Sequence, residues 1–365
     1  MTDRRPVVTI LPPRERFARG QAGAIGLLVH RLAGPGDVVV GARVDVPFDD
    51  VTFSPAVPSF WDGGRYVAAV ARTIRTLRPA MIEVHNRPDI AVTLARRLVG
   101  LPMMLVLHND PQAMRQARSA GQRAAILRRM RVVTVSGWLR DRFMDGVAAP
   151  GHTVDVAPNC IDLTVLPPPL PVPERERTIL FAGRVVADKG ADAFVAACAA
   201  LLPDLPGWRA EMIGADRFGP DSPETPFLAG LRPRARAAGV GMAGYQPHDR
   251  VLAAMARAAI VVVPSRWPEP FGMTALEAMA CGAALVASPR GGLADVVGDA
   301  ALLAEPEPAA GLIEAIGRLA GSETLRTDLS HRGLARAQAF ARPAARARLE
   351  DLRRACMEGG SPPRA

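Results

Sequence analysis

The chain of 365 residues is 49% hydrophobic with a formal net charge of +9, a balance that excludes a disordered chain and exceeds what one ordinary core holds, so about two domains are expected. No run approaches the ~20 apolar residues of a membrane span, and the first residues lack a secretory apolar stretch, so a cytoplasmic protein is expected. The basic surplus, with a pI near 10.6, asks for an anionic partner: nucleic acid, a membrane surface or a phosphorylated substrate.

In the first half, short apolar runs at 7–11, 38–40, 81–84, 103–107, 132–135 and 154–156 read as strands. Helices are expected between them, starting near Gly23, Gly64, Asp89, Gln112 and Gly137. This alternation predicts an α/β fold with a mostly parallel sheet covered on both faces. From Arg115 through Arg118, Arg123, Arg128 and Arg129 to Arg131 the pattern is helix-like and basic, which suits either a solvated face or a peripheral contact with anionic lipid. Aromatic residues are absent from that stretch, which argues against a platform for stacked bases and hence against a nucleic-acid binder.

Residues 166–177 are rich in proline and read as a stiff linker. Strands resume at 178–182, 210–213, 259–263, 283–287 and 300–303, with helices at 190–202, 247–257, 273–281 and 311–319. A helical region rich in arginine and alanine closes the chain from about 325 to 357. The expected organisation is thus a Rossmann-like domain over 1–165, the linker, a second such domain over 178–340, and a C-terminal helix and tail over 341–365 that can return to the first domain. Two doubly wound domains leave a cleft in which ligands bind.

Four cysteines, Cys160, Cys198, Cys281 and Cys356, lack C-x-x-C spacing, so reduced, buried thiols are expected and no zinc site. The acid pairs Asp49-Asp50 and Glu350-Asp351 stand apart from the motifs, and no metal is assigned.

Two segments carry the chemistry. The first, Gly183-Arg-Val-Val-Ala-Asp-Lys-Gly190, contains the only lysine of the chain, Lys189. Lysine offers a compact point charge where arginine offers a planar fork. The second runs Val263-Pro-Ser-Arg-Trp-Pro-Glu-Pro-Phe-Gly-Met-Thr-Ala-Leu-Glu277: a buried strand, a proline-rich loop, then a helix starting at about Met273. Backbone N–H groups of Gly272, Met273 and Thr274 at that helix start form a candidate phosphate cradle. Glu269 and Glu277 flank it, and carboxylates pair well with the vicinal hydroxyls of a sugar or ribose. Read singly, Glu277 is also an ordinary early-helix acid and Glu269 a solvated loop residue.

The E-x7-E spacing of Glu269 and Glu277, the Gly183–Gly190 stretch and Asn159-Cys-Ile-Asp162 resemble the retaining glycosyltransferases of family 4. The likeness extends to Gly20 and Gly23, to Leu105-Val-Leu-His108, and to Gly291-Gly292, covering nearly the whole chain. It implies the GT-B fold, two Rossmann-like domains facing across a cleft, and metal-independent transfer of a sugar from a nucleotide-sugar, UDP- or GDP-linked, to a cell-surface glycan or glycolipid such as lipopolysaccharide. Under this resemblance Arg184 and Lys189 neutralise the departing diphosphate with the amides of residues 272–274. Glu277 holds the ribose, Glu269 the transferred sugar, His108 faces the reacting sugar, and Gly23, Gly183 and Phe271 complete the donor surroundings. The chain departs from the family at Gly20-Gln-Ala-Gly23, where the glycines are separated, and at Cys160, which replaces a glycine. A catalytically silent sugar-nucleotide-binding protein of the same fold is the alternative; retention of both cations and both glutamates argues against it.

Overall fold

The computed structural model describes residues 5–59, 65–217 and 221–359. It forms two compact units, one of Met1–Cys160 with Arg342–Ala365 and one of Ile161–Ala341. Each is a parallel sheet with its own helices. No helix among the described residues is long and apolar enough to cross a membrane.

The strands of the first unit, in chain order, are β1 (Val7–Ile10), β2 (Val38–Gly41), β3 (Thr52–Pro55), β4 (Met81–His85), β5 (Met103–Leu107), β6 (Arg131–Thr134) and β7 (Val154–Val156). They lie in the order β3-β2-β1-β4-β5-β6-β7, with Val8 opposite both Val38 and Ile82. β1, β2, β4 and β5 are buried at every position. That is why they read as unbroken apolar runs and not as alternating ones: helices cover both faces. The helices are α1 (Ala24–Leu32), α2 (Tyr66–Leu77), α3 (Pro88–Arg97), α4 (Ala120–Leu127) and α5 (Gly137–Met144). The expected start at Gly64 lies outside the described residues.

Two expectations fail in this unit. The helix foreseen from Gln112 is only a short turn at Pro111–Ala113; the chain then passes Gln116 at φ 70°, and α4 begins after Ser119, whose capping box with Gln122 sets the start. In consequence the arginines from 115 to 131 do not share one helix face. Arg115 sits in a loop, Arg123 is buried with its guanidinium on the carbonyls of Phe143 (2.7 Å) and Arg118 (2.8 Å), and Arg131 is on β6 beside Asp155 at 2.8 Å. A continuous basic helix for lipid headgroups is not formed.

The second unit contains β8 (Glu176–Ala182), β9 (Arg209–Ile213), β10 (Val240–Gly244), β11 (Ala258–Val263), β12 (Ala284–Ala287) and β13 (Leu302–Leu303). Their order is β10-β9-β8-β11-β12-β13. Helices α6 (Ala191–Leu201), α7 (Pro226–Ala237), α8 (His248–Arg257), α9 (Met273–Ala280), α10 (Leu293–Val297), α11 (Ala310–Gly321) and α12 (Glu323–Gln338) surround it. Residues 166–177 are built into this unit. Arg175 is 5% exposed and donates to the carbonyls of Leu170 (3.1 Å), Ala258 (3.1 Å) and Cys281 (2.6 Å), which ties the proline-rich stretch to the sheet.

The closing helical region divides after α12. Its second part, α13 (Arg342–Glu358), belongs to the first unit, where Leu349 and Cys356 pack with Val7, Met81 and Met104. The cysteines are all free and buried; burial pushes the Cys198 and Cys281 thiols up to about 12.

Candidate functional site

In the second unit β8 and β11 are neighbours, but from β8 the sheet grows outward through β9 and from β11 through β12. Loops leaving the C-terminal ends of such a pair diverge, and the crevice between them is where open α/β sheets bind ligands. Both motif segments leave the sheet at this point.

After β8 the chain passes Gly183 and Arg184 into a tight turn, Ala187–Lys189, closed by Gly190 at φ 70°. A side chain cannot replace that glycine: a Cβ would lie 1.9 Å from the carbonyl oxygen of Pro264. The close approach locks the turn onto the loop after β11. There the Asp188 carbonyl accepts from the amides of Arg266 (2.9 Å) and Trp267 (3.0 Å). The Arg266 guanidinium adds Asp192 at 2.6 Å and the Ala187 carbonyl at 2.8 Å. Burial alone would raise the Asp192 carboxyl, but Arg266 holds it below the usual range.

This clamp delivers Lys189 Nζ onto Glu269 Oε1. Ser265 Oγ donates to the same oxygen at 2.6 Å, and Ser265 and Glu269 are only 0% and 9% exposed. The Glu269 backbone is fixed as well, bridged to Gly291 and accepting from the Gly292 amide at 2.6 Å. The glycine pair at 291–292 thus has a structural task of its own. Arg184 is half-buried, and among the described residues its guanidinium has no hydrogen bond or ion pair.

Gly272 stands at the N-cap of α9 with φ 110° and no side chain capping it. The amides of the first turn therefore face outward with the positive end of the helix dipole. The sequence ascribes this glycine to ligand approach; the structure adds an internal cause, since a Cβ would meet Leu293 Cδ1 at 2.2 Å. Met273 and Thr274 are half-buried beside it. Phe271 is spent on packing, edge-on to Phe340 at 5.7 Å and 4% exposed. Glu277, one turn into α9, accepts at 2.9 Å from His248 Nε2, a partner on α8 that no motif in the sequence marks.

In the first unit His108 follows β5 and is 8% exposed. Its Nε2 lies 2.9 Å from His85 Nδ1, and its amide donates to Asn86 Oδ1 at 3.1 Å. Burial, helped by His85, pushes its imidazole well below the ordinary value, so it is uncharged near neutrality. Behind His85 stands Glu83, whose carboxylate takes both Arg353 nitrogens, at 2.6 and 2.9 Å, and Thr9 Oγ1 at 3.1 Å. Burial favours the neutral acid, but Arg353 outweighs it and holds Glu83 well below the carboxylate range. Arg353 also binds Asp37 at 2.8 Å. Helix α13 thereby anchors the strand that carries His85, a connection across 270 residues that no local pattern reveals.

The amide of Gly23 donates to Glu15 Oε1 at 2.6 Å and that of Gly26 at 3.2 Å. The Gly23 backbone, which the resemblance places among the donor surroundings, is thus held by a carboxylate of the same unit, and Glu15 is a residue the sequence reading passes over. Among the described residues, no group of three or more His, Cys, Asp or Glu is arranged to hold a metal ion.

Both parts of the chain match models of known families. Residues 22–165 match the model described as Glycosyltransferase Family 4, and residues 164–336 match Glycosyl transferases group 1. The 2-deoxystreptamine N-acetyl-D-glucosaminyltransferase of Streptomyces fradiae is 30% identical over 308 residues, 76% of this chain and 70% of that one. The D-inositol 3-phosphate glycosyltransferase of Acidothermus cellulolyticus is 26% identical over 359 residues, 90% of this chain and 75% of the other. Among solved structures, Anabaena HepE in complex with UDP superposes with a TM-score of 0.77 at 19% identity, covering 96% of this chain and 100% of that one.

Proposed function

This chain belongs to glycosyltransferase family 4 and has the GT-B fold, and from that premise we propose that it moves a sugar, with retention and without a metal, from a nucleotide-sugar to a cell-surface glycoconjugate. The observation that carries the reading is the junction in the second unit, where the Lys189–Glu269 pair is clamped beside the uncapped start of α9.

In this reading the donor diphosphate lies against the amides of 272–274, with Lys189 and Arg184 as fixed cations. Cleavage of the glycosidic bond leaves charge on the terminal phosphate, and donors aimed there lower the barrier; removal of one such donor typically costs ~2.7–4 kcal/mol. Lys189 is already oriented by Glu269, so little reorganisation is needed when the phosphate arrives. Glu269, half-neutralised by lysine, keeps its second oxygen for a sugar hydroxyl. Glu277 accepts from the ribose, with His248 holding its other side. His108, kept neutral, can exchange hydrogen bonds with a sugar hydroxyl but does not act as a cation.

Binding of UDP to the Anabaena neighbour supports a uridine donor. Calorimetric titration with UDP, GDP and ADP in chelator tests the reading: one nucleoside diphosphate should bind at micromolar concentration, and Lys189→Met should weaken it. Failure of all three to bind, or binding only after a divalent ion is restored, would sink the metal-free scheme.

A further inference from the structure

The donor reading gives His108 a task but leaves its partner His85 without one. His85 ends β4 and His108 follows β5, a neighbouring parallel strand in which Val106 stands opposite His85. Both side chains are buried, and their rings meet edge to edge. The ring centres are 5.2 Å apart and the planes 18° from parallel, while His85 Nδ1 and His108 Nε2 are 2.9 Å apart. The difference between these two distances is about the sum of the two ring radii, so the line joining the nitrogens runs through both ring centres and lies in both planes. That is the geometry of a straight hydrogen bond. The backbone holds it in place: the His108 amide donates to Asn86 Oδ1 at 3.1 Å, and the Asn86 amide donates to the Val106 carbonyl at 2.7 Å.

A bond between two imidazoles holds one proton, and the ring that owns it fixes the chemistry on the far side of both. The choice is made from behind. His85 Nε2 lies 3.9 Å from Glu83 Oε2, beyond hydrogen-bond length but within reach of its charge. The Glu83 oxygens take two nitrogens of Arg353 and the hydroxyl of Thr9, a set of donors that favours the anion. A lone pair on His85 Nε2 would face that anion and be repelled, whereas an N–H is attracted, so His85 carries its proton on Nε2. Arg353 answers Glu83 and Asp37 together, and Asp37 also accepts from the Gly34 amide at 2.8 Å, so both carboxylates are satisfied without a second proton on His85. His85 Nδ1 is then a lone pair and accepts, which makes His108 Nε2 the donor. His108 Nδ1 is left without a proton. That nitrogen has no partner among the described residues and is not one of their buried unpartnered atoms, so it is the open edge of the ring.

We propose that His85 is a positioning residue: with Glu83 behind it, it fixes the proton of His108 on Nε2, so that His108 meets its substrate through Nδ1 and only as a hydrogen-bond acceptor. A hydroxyl donates to that nitrogen. A group that can only accept, such as a carboxylate, an ether or a fully ionised phosphate oxygen, faces lone pair against lone pair and is turned away. The pair thus selects the kind of group that may lie against His108. That this group is a sugar hydroxyl rests on the glycosyltransferase reading; the placement of the proton does not.

Long-range proton–nitrogen spectra of the imidazole rings, recorded on the full chain at neutral pH, separate an N–H nitrogen from one with a lone pair; His85→Leu, His85→Asn and His108→Gln assign the signals. The parent should show both rings protonated on Nε2 alone. His85→Leu should leave His108 as a mixture of its two tautomers, and His85→Asn, whose side-chain oxygen fits where Nδ1 stands, should restore the Nε2–H form. The parent spectrum decides even where a variant does not fold: a proton on His108 Nδ1, or two protons on His85, overturns the inference, as does an unaltered tautomer in folded His85→Leu protein. Turnover is read separately, as release of nucleotide from UDP- and GDP-sugars. In His85→Leu kcat should fall ~3- to 10-fold, the worth of about one hydrogen bond, and His85→Asn should recover it; a loss that persists in His85→Asn with the tautomer restored overturns the positioning role. Should no nucleotide-sugar be turned over while the rings carry the expected protons, the donor reading falls and the proton placement stands. The opposite tautomer in an active enzyme sinks this inference alone.

Discussion

Replacement of Lys189 by methionine removes the charge and keeps most of the side-chain length. Two unit charges about 4 Å apart attract by ~4 kcal/mol at an effective dielectric of ~20, but Lys189 is 26% exposed along its side chain and already shares its charge with Glu269. A charged hydrogen bond of ~1.5–3 kcal/mol is the better measure of what the β-phosphate gains, or roughly 10- to 150-fold in affinity. The variant also leaves Glu269, 9% exposed, with Ser265 as its remaining partner, and that carboxylate then opposes the diphosphate. The assay is calorimetric: UDP against UMP on parent and variant, so that base and ribose contacts cancel. The advantage of UDP over UMP should fall by the stated factor, and Lys189→Met/Glu269→Gln should recover part of it by removing the opposing charge. Equal losses for UDP and UMP leave that ratio unchanged and would refute the leaving-group assignment.

Gly190→Ala places a Cβ on the Pro264 carbonyl at φ 70°; a loss of ~2 kcal/mol or more is expected, with UDP binding lost along with it, and a melting temperature within a degree of the parent would contradict the clamp. Arg353→Met strands Glu83 as a buried charge, which costs ~3–5 kcal/mol. In the parent, Glu83 titrates lower folded than unfolded, so its stabilisation is present above the unfolded value and fades as pH falls through the folded one. Without the arginine, burial raises the folded value, so the deficit of the variant should narrow between pH 7 and 5 in denaturant titrations; a deficit constant with pH would rule this out. His108 titrates below its unfolded value, so its stabilisation is complete above ~6.5 and is lost as pH falls below that. Its ring resonance should not move between pH 7 and 8, and a midpoint near 6.5 would show that it is not held neutral.

The strands were legible wherever burial on both faces made them apolar throughout, as in β1, β5 and β11. Those that were missed are edges. β3 is largely exposed and ends in Pro55, and β10, Val-Gly-Met-Ala-Gly, has glycines where a core strand has bulk. α7 escaped notice because Pro233 lies inside it, and α10 because a helix of five residues is too short to show a period. In the candidate site, Lys189, Glu269 and Gly272 could be found because turn and helix-start chemistry is local. His248, His85, Glu15 and Ser265 could not, since each matters through a partner that only folding brings near.

The amino-acid order alone determined the two parallel-sheet units, the loop after β8 and the loop-to-helix junction after β11, because backbone conformation at glycine, proline and helix starts depends on near neighbours. Only the tertiary structure decided what those segments touch. Strand order brought the two loops to one switch point and set Lys189 on Glu269. It also carried α13 back to Glu83 and set His85 against His108. Charge interactions act over a few ångströms in space whatever the distance along the chain, and for that reason the pairings were invisible until the sheets were in place.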